Sequence, residues 1–179
     1  MSDKLKGKKI ALLVENGFEE EELTRPRKAF DEAGAETHII SPGNDKVKAW
    51  DHTDWGGTYE VDVKLEDAAP DDYDALVLPG GVLNPDKLRR SNQAVDFAKS
   101  FFDKNKMVAV ICHGAQTLIE TGRLEGRKMT SYNAVKTDIK NAGAEWFDEE
   151  VVIDGNMISS RNPKDIPAFN KAIIDYLSG

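Results

Sequence analysis

The sequence predicts an α/β fold in which a mostly parallel sheet is covered by helices on both faces. Short apolar runs, typical of strands buried on both sides, alternate with amphipathic stretches from one end of the chain to the other. The chain has 179 residues, which suits one domain of ordinary size. Hydrophobic residues make up 40% of the chain and charged residues 31%, a balance typical of globular proteins. We therefore interpret residues 1–179 as a single domain.

Each predicted strand is a short apolar run with a turn or loop signal after it. The predicted strands are residues 9–14, 37–40, 75–78, 108–111 and 128–130. Residues 151–158 form an apolar–turn–apolar unit, and its Asp-Gly-Asn centre predicts a tight hairpin. The polar stretch 47–63, rich in Gly and Trp, predicts an irregular excursion or a hairpin.

Helical periodicity fills most of the intervals between these strands. The predicted helices are residues 20–33, 92–104, 114 to about 120, 134–142 and 166–177. Gly34 and Gly143 end two of them, as glycine commonly does after the last helical residue. Pro26 falls inside the first window, so we expect it near the helix start or at a kink.

Composition excludes several classes of protein. Lys and Arg number 24 against 32 Asp and Glu, so the net charge of −8 makes a nucleic acid an unlikely main partner. No apolar run reaches the roughly 18 residues of a membrane span, and the N-terminus begins no signal peptide. The single cysteine, Cys112, excludes an intrachain disulfide framework. We expect a soluble cytoplasmic protein without a membrane partner.

Three chemistry-bearing features follow three of the predicted strands. Ligands of such sheets bind beyond the carboxyl ends of the strands. Glu19 follows the first strand, Gly80 and Gly81 follow a middle one, and Cys112-His113 follows the next. Their convergence predicts a single cleft. The histidines show no metal-ligand spacing and the chain has no phosphate-binding glycine motif, so we predict no metal and no cofactor.

Cys112 lies directly between a buried strand and a helix start. A tight strand-to-helix turn presents its central side chain to the cleft, and the helix N-terminus stabilises a thiolate. A lone cysteine is more often a small buried hydrophobe, but this position favours a reactive thiol. We therefore expect the pKa of Cys112 to lie below that of a free cysteine.

The neighbours of Cys112 suggest how it would be assisted. Adjacent residues on such a turn point in different directions, so a hydrogen bond between the side chains of Cys112 and His113 does not follow from the sequence. His113 is interpreted as an acid/base group of the cleft, or as a backbone donor to an oxyanion, against the alternative of a structural histidine. Gly80 and Gly81 leave their N–H groups unshielded and would complete the oxyanion site.

Glu19 is interpreted as the carboxyl that faces the thiol. It belongs to the run Glu19-Glu20-Glu21-Glu22, of which Glu20 and Glu21 are explained as an acidic first helical turn. Glu19 stands at the exit of the first strand and is expected to share the crevice with Cys112. A carboxyl partly desolvated there would have a raised pKa and could donate a hydrogen bond to sulfur.

The sequence resembles the ThiJ/PfpI superfamily, and specifically its PfpI branch of intracellular cysteine proteases and stress proteins. The resemblance covers nearly the whole chain and is carried by ordered motifs. These are FEExEL at 18–23, DALVLPGG at 74–81, VICHG at 110–114, GRKMTSY at 126–132, NAGAE at 141–145, VVIDGN at 151–156 and SSR at 159–161.

The resemblance implies a flavodoxin-like three-layer α/β/α sandwich related to class I glutamine amidotransferases. It assigns the nucleophile to Cys112, the histidine to His113 and the protonated thiol-facing glutamate to Glu19. In PfpI-type proteases a glutamate of a neighbouring subunit completes the site; Asp86, a shorter carboxylate beside an inserted residue, holds the matching place here. The resemblance also implies a homodimer or hexamer and, in some members, deglycase or glyoxalase-like activity.

Three functions remain open from the sequence. The first is a cysteine hydrolase acting in stress protection on small peptides or on glyoxal and methylglyoxal adducts of amines, by way of a covalent intermediate. The second is a redox-stress sensor that works by oxidation of Cys112. The third is a non-catalytic chaperone or assembly protein. Only the hydrolase requires proton-transfer partners such as His113 and Asp86.

Overall fold

A seven-stranded sheet forms the centre of the computed structural model, which describes residues 2–179. The strands are β1 (Lys9–Leu13), β2 (Glu36–Ser41), β3 (Lys46–Asp51), β4 (Asp54–Glu60), β5 (Val63–Lys64), β6 (Ala75–Leu78), β7 (Met107–Ile111), β8 (Lys128–Met129), β9 (Glu145–Trp146), β10 (Val152–Asp154) and β11 (Met157–Ser160). The helices are α1 (Glu20–Glu32), α2 (Leu83–Leu88), α3 (Asn92–Asp103), α4 (Ala115–Ile119), α5 (Lys136–Asn141) and α6 (Ile166–Ser178).

The order of strands in the central sheet is β10-β11-β7-β6-β1-β2-β5, and all neighbours are parallel except β10 and β11. The chain passes from β1 to β2 on one side and returns to β6 on the other. The connections therefore diverge between β1 and β6, and the carboxyl ends of these two strands frame a natural binding crevice.

Helices pack on both faces of the sheet. Phe30 of α1 and Phe169 of α6 belong to one apolar core, and Phe101, Leu118 and Ile139 of α3, α4 and α5 belong to the other. The β1, β6 and β7 side chains are buried on both faces apart from the half-buried Lys9, which explains their continuous apolar sequence. The predicted three-layer α/β/α sandwich with a mostly parallel sheet is confirmed.

The ambiguous stretch 47–63 is a hairpin, one of the two predicted alternatives. Strands β3 and β4 pair antiparallel as a separate two-stranded sheet, with a register irregularity between Lys48 and Trp50. That irregularity breaks the strict alternation by which a strand is recognised, so the sequence pattern was ambiguous.

Three details differ from the sequence-based expectation. Pro26 lies inside α1, on its buried face, which excludes the predicted alternative of a place near the helix start. Helix α2 was not predicted, because it has only six residues and includes Pro85. The strand predicted at 128–130 pairs with β9 outside the central sheet.

Within residues 2–179 no helix combines the length and the apolar composition needed to cross a bilayer.

Neighbouring phenylalanines on α3 provide a test of the core. Phe101 is fully buried, whereas Phe102 is half-buried and packs against the edge of the same core. We expect Phe101→Ala to lower the free energy of unfolding by about 3–5 kcal/mol, because it removes an aromatic side chain and leaves a cavity. Phe102→Ala is the matched control, and urea unfolding of both variants measures the difference. Equal losses would contradict this assignment of the core.

Candidate active site

A cleft of about 500 Å³ opens where β1, β6 and β7 end, a size suited to a small ligand. Its walls come from the loops after these strands, the start of α1, the hairpin β3–β4 and two later loops. The lining residues are Gly17, Glu19, Glu22, Trp50, His52, Gly81, Val82, Leu83, Cys112, His113, Tyr132 and Pro163. The predicted convergence of Glu19, Gly81 and Cys112-His113 in one cleft is therefore found.

Cys112 lies on a strained turn between β7 and α4. Its φ of 62° is in the left-handed region, which a residue with a side chain rarely adopts. The turn packs closely on the end of β6: a Cβ on Gly114 would lie 2.8 Å from the carbonyl oxygen of Leu78, so only glycine fits. This geometry presents the Cys112 side chain to the cleft, as a nucleophile elbow does.

The carboxyl beside the thiol belongs to Glu22, so the interpretation of Glu19 as the thiol-facing group is corrected. Glu22 is 1% exposed, and its neighbours are the Cys112 side chain and the N–H of Gly80. A Cβ on Gly80 would lie 2.7 Å from Cys112 Cβ and 2.9 Å from Glu22 Oε2, so the three residues meet at one point.

Helix geometry explains this correction. Glu19 precedes α1 with an extended backbone, so its side chain lies outside the helix, toward the hairpin. Glu22 is one turn into the helix and shares its buried stripe with Pro26 and Phe30, at spacings of four residues. That spacing was the available signal in the sequence. The prediction that Glu19 faces the thiol rested on its closeness to the end of the strand and not on helical periodicity.

Burial controls the protonation of Glu22. Desolvation raises the pKa of its carboxyl well above the usual range, and the nearby charge of Glu19 raises it further. Neither carboxyl oxygen has a hydrogen-bond partner of good geometry within residues 2–179. The raised pKa favours the protonated carboxyl, whose proton lies beside the sulfur and can be donated to it or to an oxygen bound to it.

Burial also raises the pKa of the Cys112 thiol, and the charge of Glu22 is the second cause. The N–H groups of His113 and Gly81 adjoin the sulfur and act in the opposite direction, but burial outweighs them. The expectation of a thiol pKa below that of free cysteine is therefore wrong for this chain. A nucleophilic Cys112 requires a base that removes its proton during attack.

His113 is in position to be that base. Its Nδ1 lies 3.2 Å from the sulfur of Cys112, a contact that did not follow from the sequence because it depends on the left-handed φ of Cys112. Desolvation lowers the pKa of His113, so the ring is neutral near pH 7 and can accept a proton. Tyr132 stacks on the imidazole, with ring centroids 4.5 Å apart and planes at 26°, and fixes its orientation.

The two glycines after β6 have different roles. The N–H of Gly81 adjoins the Cys112 sulfur together with that of His113, so these two donors surround the place where an oxyanion would form. The N–H of Gly80 adjoins the carboxyl of Glu22 instead. Gly80 therefore adjoins Glu22 rather than the place of an oxyanion, which narrows the three predicted donors, Gly80, Gly81 and His113, to Gly81 and His113.

Glu19 takes part in a polar cluster at the mouth of the cleft. Its Oε1 accepts a hydrogen bond of 3.1 Å from the backbone N–H of His52, in the turn of the hairpin. The His52 ring lies 3.5 Å from Glu19 Oε1 and 3.1 Å from Glu21 Oε1. These three side chains have metal-ligating atoms within 4.8 Å of one another, but their mutual contacts explain the cluster, and we assign no ion to it.

Asp86 does not join the cleft of its own chain. It is exposed on α2 and is not among the residues that line the cleft. The resemblance placed this carboxylate across a subunit contact, so its role stays a prediction.

Comparison with known proteins connects this geometry with a family. The model of the DJ-1/PfpI family matches residues 8–176. The chain is 43% identical over 169 residues to a deglycase of Thermococcus kodakarensis, covering 94% of this chain and 99% of that protein. It is 44% identical over 174 residues to general stress protein 18 of Bacillus subtilis, with 96% and 98% covered. The crystal structure of Drosophila melanogaster DJ-1beta matches with a TM-score of 0.88 at 28% identity, covering 100% of this chain and 92% of that one.

The buried carboxyl predicts a pH-dependent stability. A carboxyl with a raised pKa in the folded chain holds more protons there than in the unfolded chain, so stability falls as pH rises above 4.5. Glu22→Gln removes this loss. We expect its free energy of unfolding relative to the parent to grow by up to about 1.4 kcal/mol per pH unit until the folded carboxyl titrates.

Urea unfolding of both proteins at a series of pH values measures this difference. Glu149→Gln, at an exposed position, controls for the change in net charge. A constant difference between Glu22→Gln and the parent across the series would show that Glu22 is ionised in the folded chain.

Proposed function

The chain belongs to the DJ-1/PfpI family, and we propose that it is a cysteine hydrolase that attacks an acyl or carbonyl-derived carbon attached to an amine. The proposed substrates are glyoxal and methylglyoxal adducts of amines, with small peptides as the second class. The observation that carries the proposal is the Cys112 sulfur, 3.2 Å from Nδ1 of His113 and flanked by two backbone N–H groups.

In the proposed reaction on an acyl substrate, the sulfur of Cys112 adds to the carbonyl carbon while its proton passes to Nδ1 of His113. This requires the tautomer of His113 that carries its proton on Nε2. The N–H groups of Gly81 and His113 stabilise the oxyanion. For an acyl substrate, collapse of the adduct expels the amine, which takes the proton from His113, and water then hydrolyses the thioester. On a hemiaminal adduct the sulfur displaces the amine at the carbinol carbon, the amine leaves with the proton held by His113, and the resulting hemithioacetal breaks down to the free aldehyde and the Cys112 thiol.

The names of two similar proteins support the proposal. The Thermococcus protein is named a deglycase and the Bacillus protein a general stress protein. Both are similar to this chain over nearly its whole length. A role in protection against reactive aldehydes during stress agrees with both names.

Assembly is the second part of the proposal. We propose a homodimer or hexamer in which Asp86 of a second copy orients His113. Val82 and Leu83, 62% and 40% exposed on the rim of the cleft near Asp86, support a contact at this place.

The first test compares substrates on one preparation. Amino acids and peptides pre-reacted with methylglyoxal, and unmodified peptides, are incubated with the protein, and amine release is measured. We expect Cys112→Ser to lose at least about 10³-fold in rate, since it removes the nucleophile, and His113→Gln about 10²–10⁴-fold. Asp86→Asn should lower the rate without changing alkylation of Cys112. Equal rates for the parent and Cys112→Ser would refute the hydrolase.

A redox sensor is the second candidate, and the buried Glu22 carboxyl beside Cys112 is the observation that favours it. A carboxyl that keeps its proton beside a cysteine can donate to the oxygen of an oxidised sulfur. This function needs Cys112 and Glu22 but no proton-transfer partner.

Mild peroxide distinguishes the two carboxyls. We expect Glu22→Leu to lower the accumulated oxygenated Cys112 about tenfold, because the donor to the new oxygen is lost. Glu19→Leu is the matched control and should have little effect, since Glu19 contacts His52 rather than the sulfur. Mass spectrometry of the Cys112 peptide measures the oxidised fraction. The same fraction in both variants would exclude this role of Glu22.

A further inference from the structure

The peptide unit between Gly80 and Gly81 is hydrogen-bonded through its carbonyl oxygen, while its N–H faces the Cys112 sulfur. Its carbonyl oxygen accepts a hydrogen bond of 3.0 Å from Nδ2 of Asn84 and one of 3.3 Å from the N–H of Glu19. Its N–H adjoins the sulfur of Cys112. In a trans peptide the C=O and the N–H point in opposite directions, so a group that fixes the carbonyl also directs the N–H.

Asn84 is a buried residue whose side chain fixes this loop by hydrogen bonds. It is 0% exposed, in the first turn of α2. Its Nδ2 also donates to the carbonyl of Pro79 at 3.0 Å, and its Oδ1 accepts from the N–H of Glu15 at 2.7 Å. Two carbonyls need donors and one N–H needs an acceptor, so only one orientation of the amide satisfies all three.

The loop needs this side chain because its own backbone does not fix it. Gly81 has a φ of 83°, and glycine adopts this region and its mirror image with nearly equal ease. The other bond to the Gly80 carbonyl, from Glu19, is the longer one. The short bond from Asn84 to the buried carbonyl is therefore the main restraint on the direction of the Gly81 N–H.

We propose that Asn84 is a positioning residue of the active site, which directs the N–H of Gly81 at the reacting centre through the carbonyl of Gly80. Asn84 does not line the cleft and touches no substrate. Its effect on turnover rests on the proposed hydrolase function. Its effect on the environment of Cys112 does not, because the Gly81 N–H adjoins the sulfur in the free protein.

Two variants test the proposal. Asn84→Asp keeps the acceptor for Glu15 but sets an oxygen against the carbonyls of Pro79 and Gly80. Asn84→Ala removes the donor without adding a charge, and serves if the aspartate variant does not fold. We expect kcat to fall about tenfold or more with KM nearly unchanged, since an oxyanion donor acts mainly in the transition state.

Alkylation of Cys112 by iodoacetamide across a pH series provides the readout that does not depend on turnover. Loss of the Gly81 N–H raises the pKa of Cys112, so the profile of either variant should shift to higher pH. Asn156→Asp is the matched control. Asn156 is also buried, and its amide bridges the carbonyl of Lys106 and the side chain of Arg127, before the opposite end of β7.

The outcomes separate the two proposals. A profile that coincides with the parent in a folded Asn84 variant overturns the role of Asn84, and so does an equal shift in Asn156→Asp. Absence of turnover in the parent, with a shifted profile in the Asn84 variants alone, refutes the hydrolase and supports the role of Asn84 at the thiol.

Discussion

The packing of the Glu22 carboxyl against the Cys112 thiol is the contact on which the rest of the site depends. Two ionisable groups share a place from which water is excluded, and a second negative charge there is costly. Both pKa values are therefore raised, and His113 Nδ1, 3.2 Å from the sulfur, is the nearby group that can accept the thiol proton. The glycine at position 80 follows from the same contact, because a side chain there would collide with Cys112 Cβ and the Glu22 carboxyl.

The sheet supplies the rigidity that this arrangement needs. Cys112 holds a left-handed backbone conformation, which costs free energy and persists only where the surroundings fix it. Strand β7 lies between β6 and β11, and all its side chains are buried. The strain is therefore located at the end of one of the most firmly held strands, beside the loop that Asn84 ties to the exit of β1.

The sequence was sufficient for features that depend on local patterns. Buried parallel strands have continuous apolar sequences, so β1, β6 and β7 and the residues at their ends were predicted, Cys112 and Gly81 among them. The error about Glu19 concerns a direction in space, and so does the contact of His113 with the sulfur, which the sequence left open. Glu22 faces the thiol because of the phase of α1, and His113 reaches the sulfur because of the φ of Cys112.

The pKa of Cys112 and the assembly of the protein depend on more than local sequence patterns. The pKa of Cys112 depends on burial against a few N–H donors, and a helix start by itself does not predict which of the two dominates. A carboxylate that acts from another copy, as proposed for Asp86, is outside what one chain can show.

The hairpin β3–β4 forms one wall of the cleft and is structurally separate from the elements that carry Cys112 and Glu22. It brings Trp50 and His52 to the cleft and lies outside the central sheet. It is joined to the β1 exit loop by backbone hydrogen bonds, such as Trp50 N–H to Phe18 O at 2.7 Å, and by side-chain contacts, such as His52 N–H to Glu19 Oε1. Backbone bonds of this kind tolerate many side chains. The sequence of this wall can therefore vary without displacing Cys112, His113, Glu22 or Gly81, which lie on the other elements around the cleft.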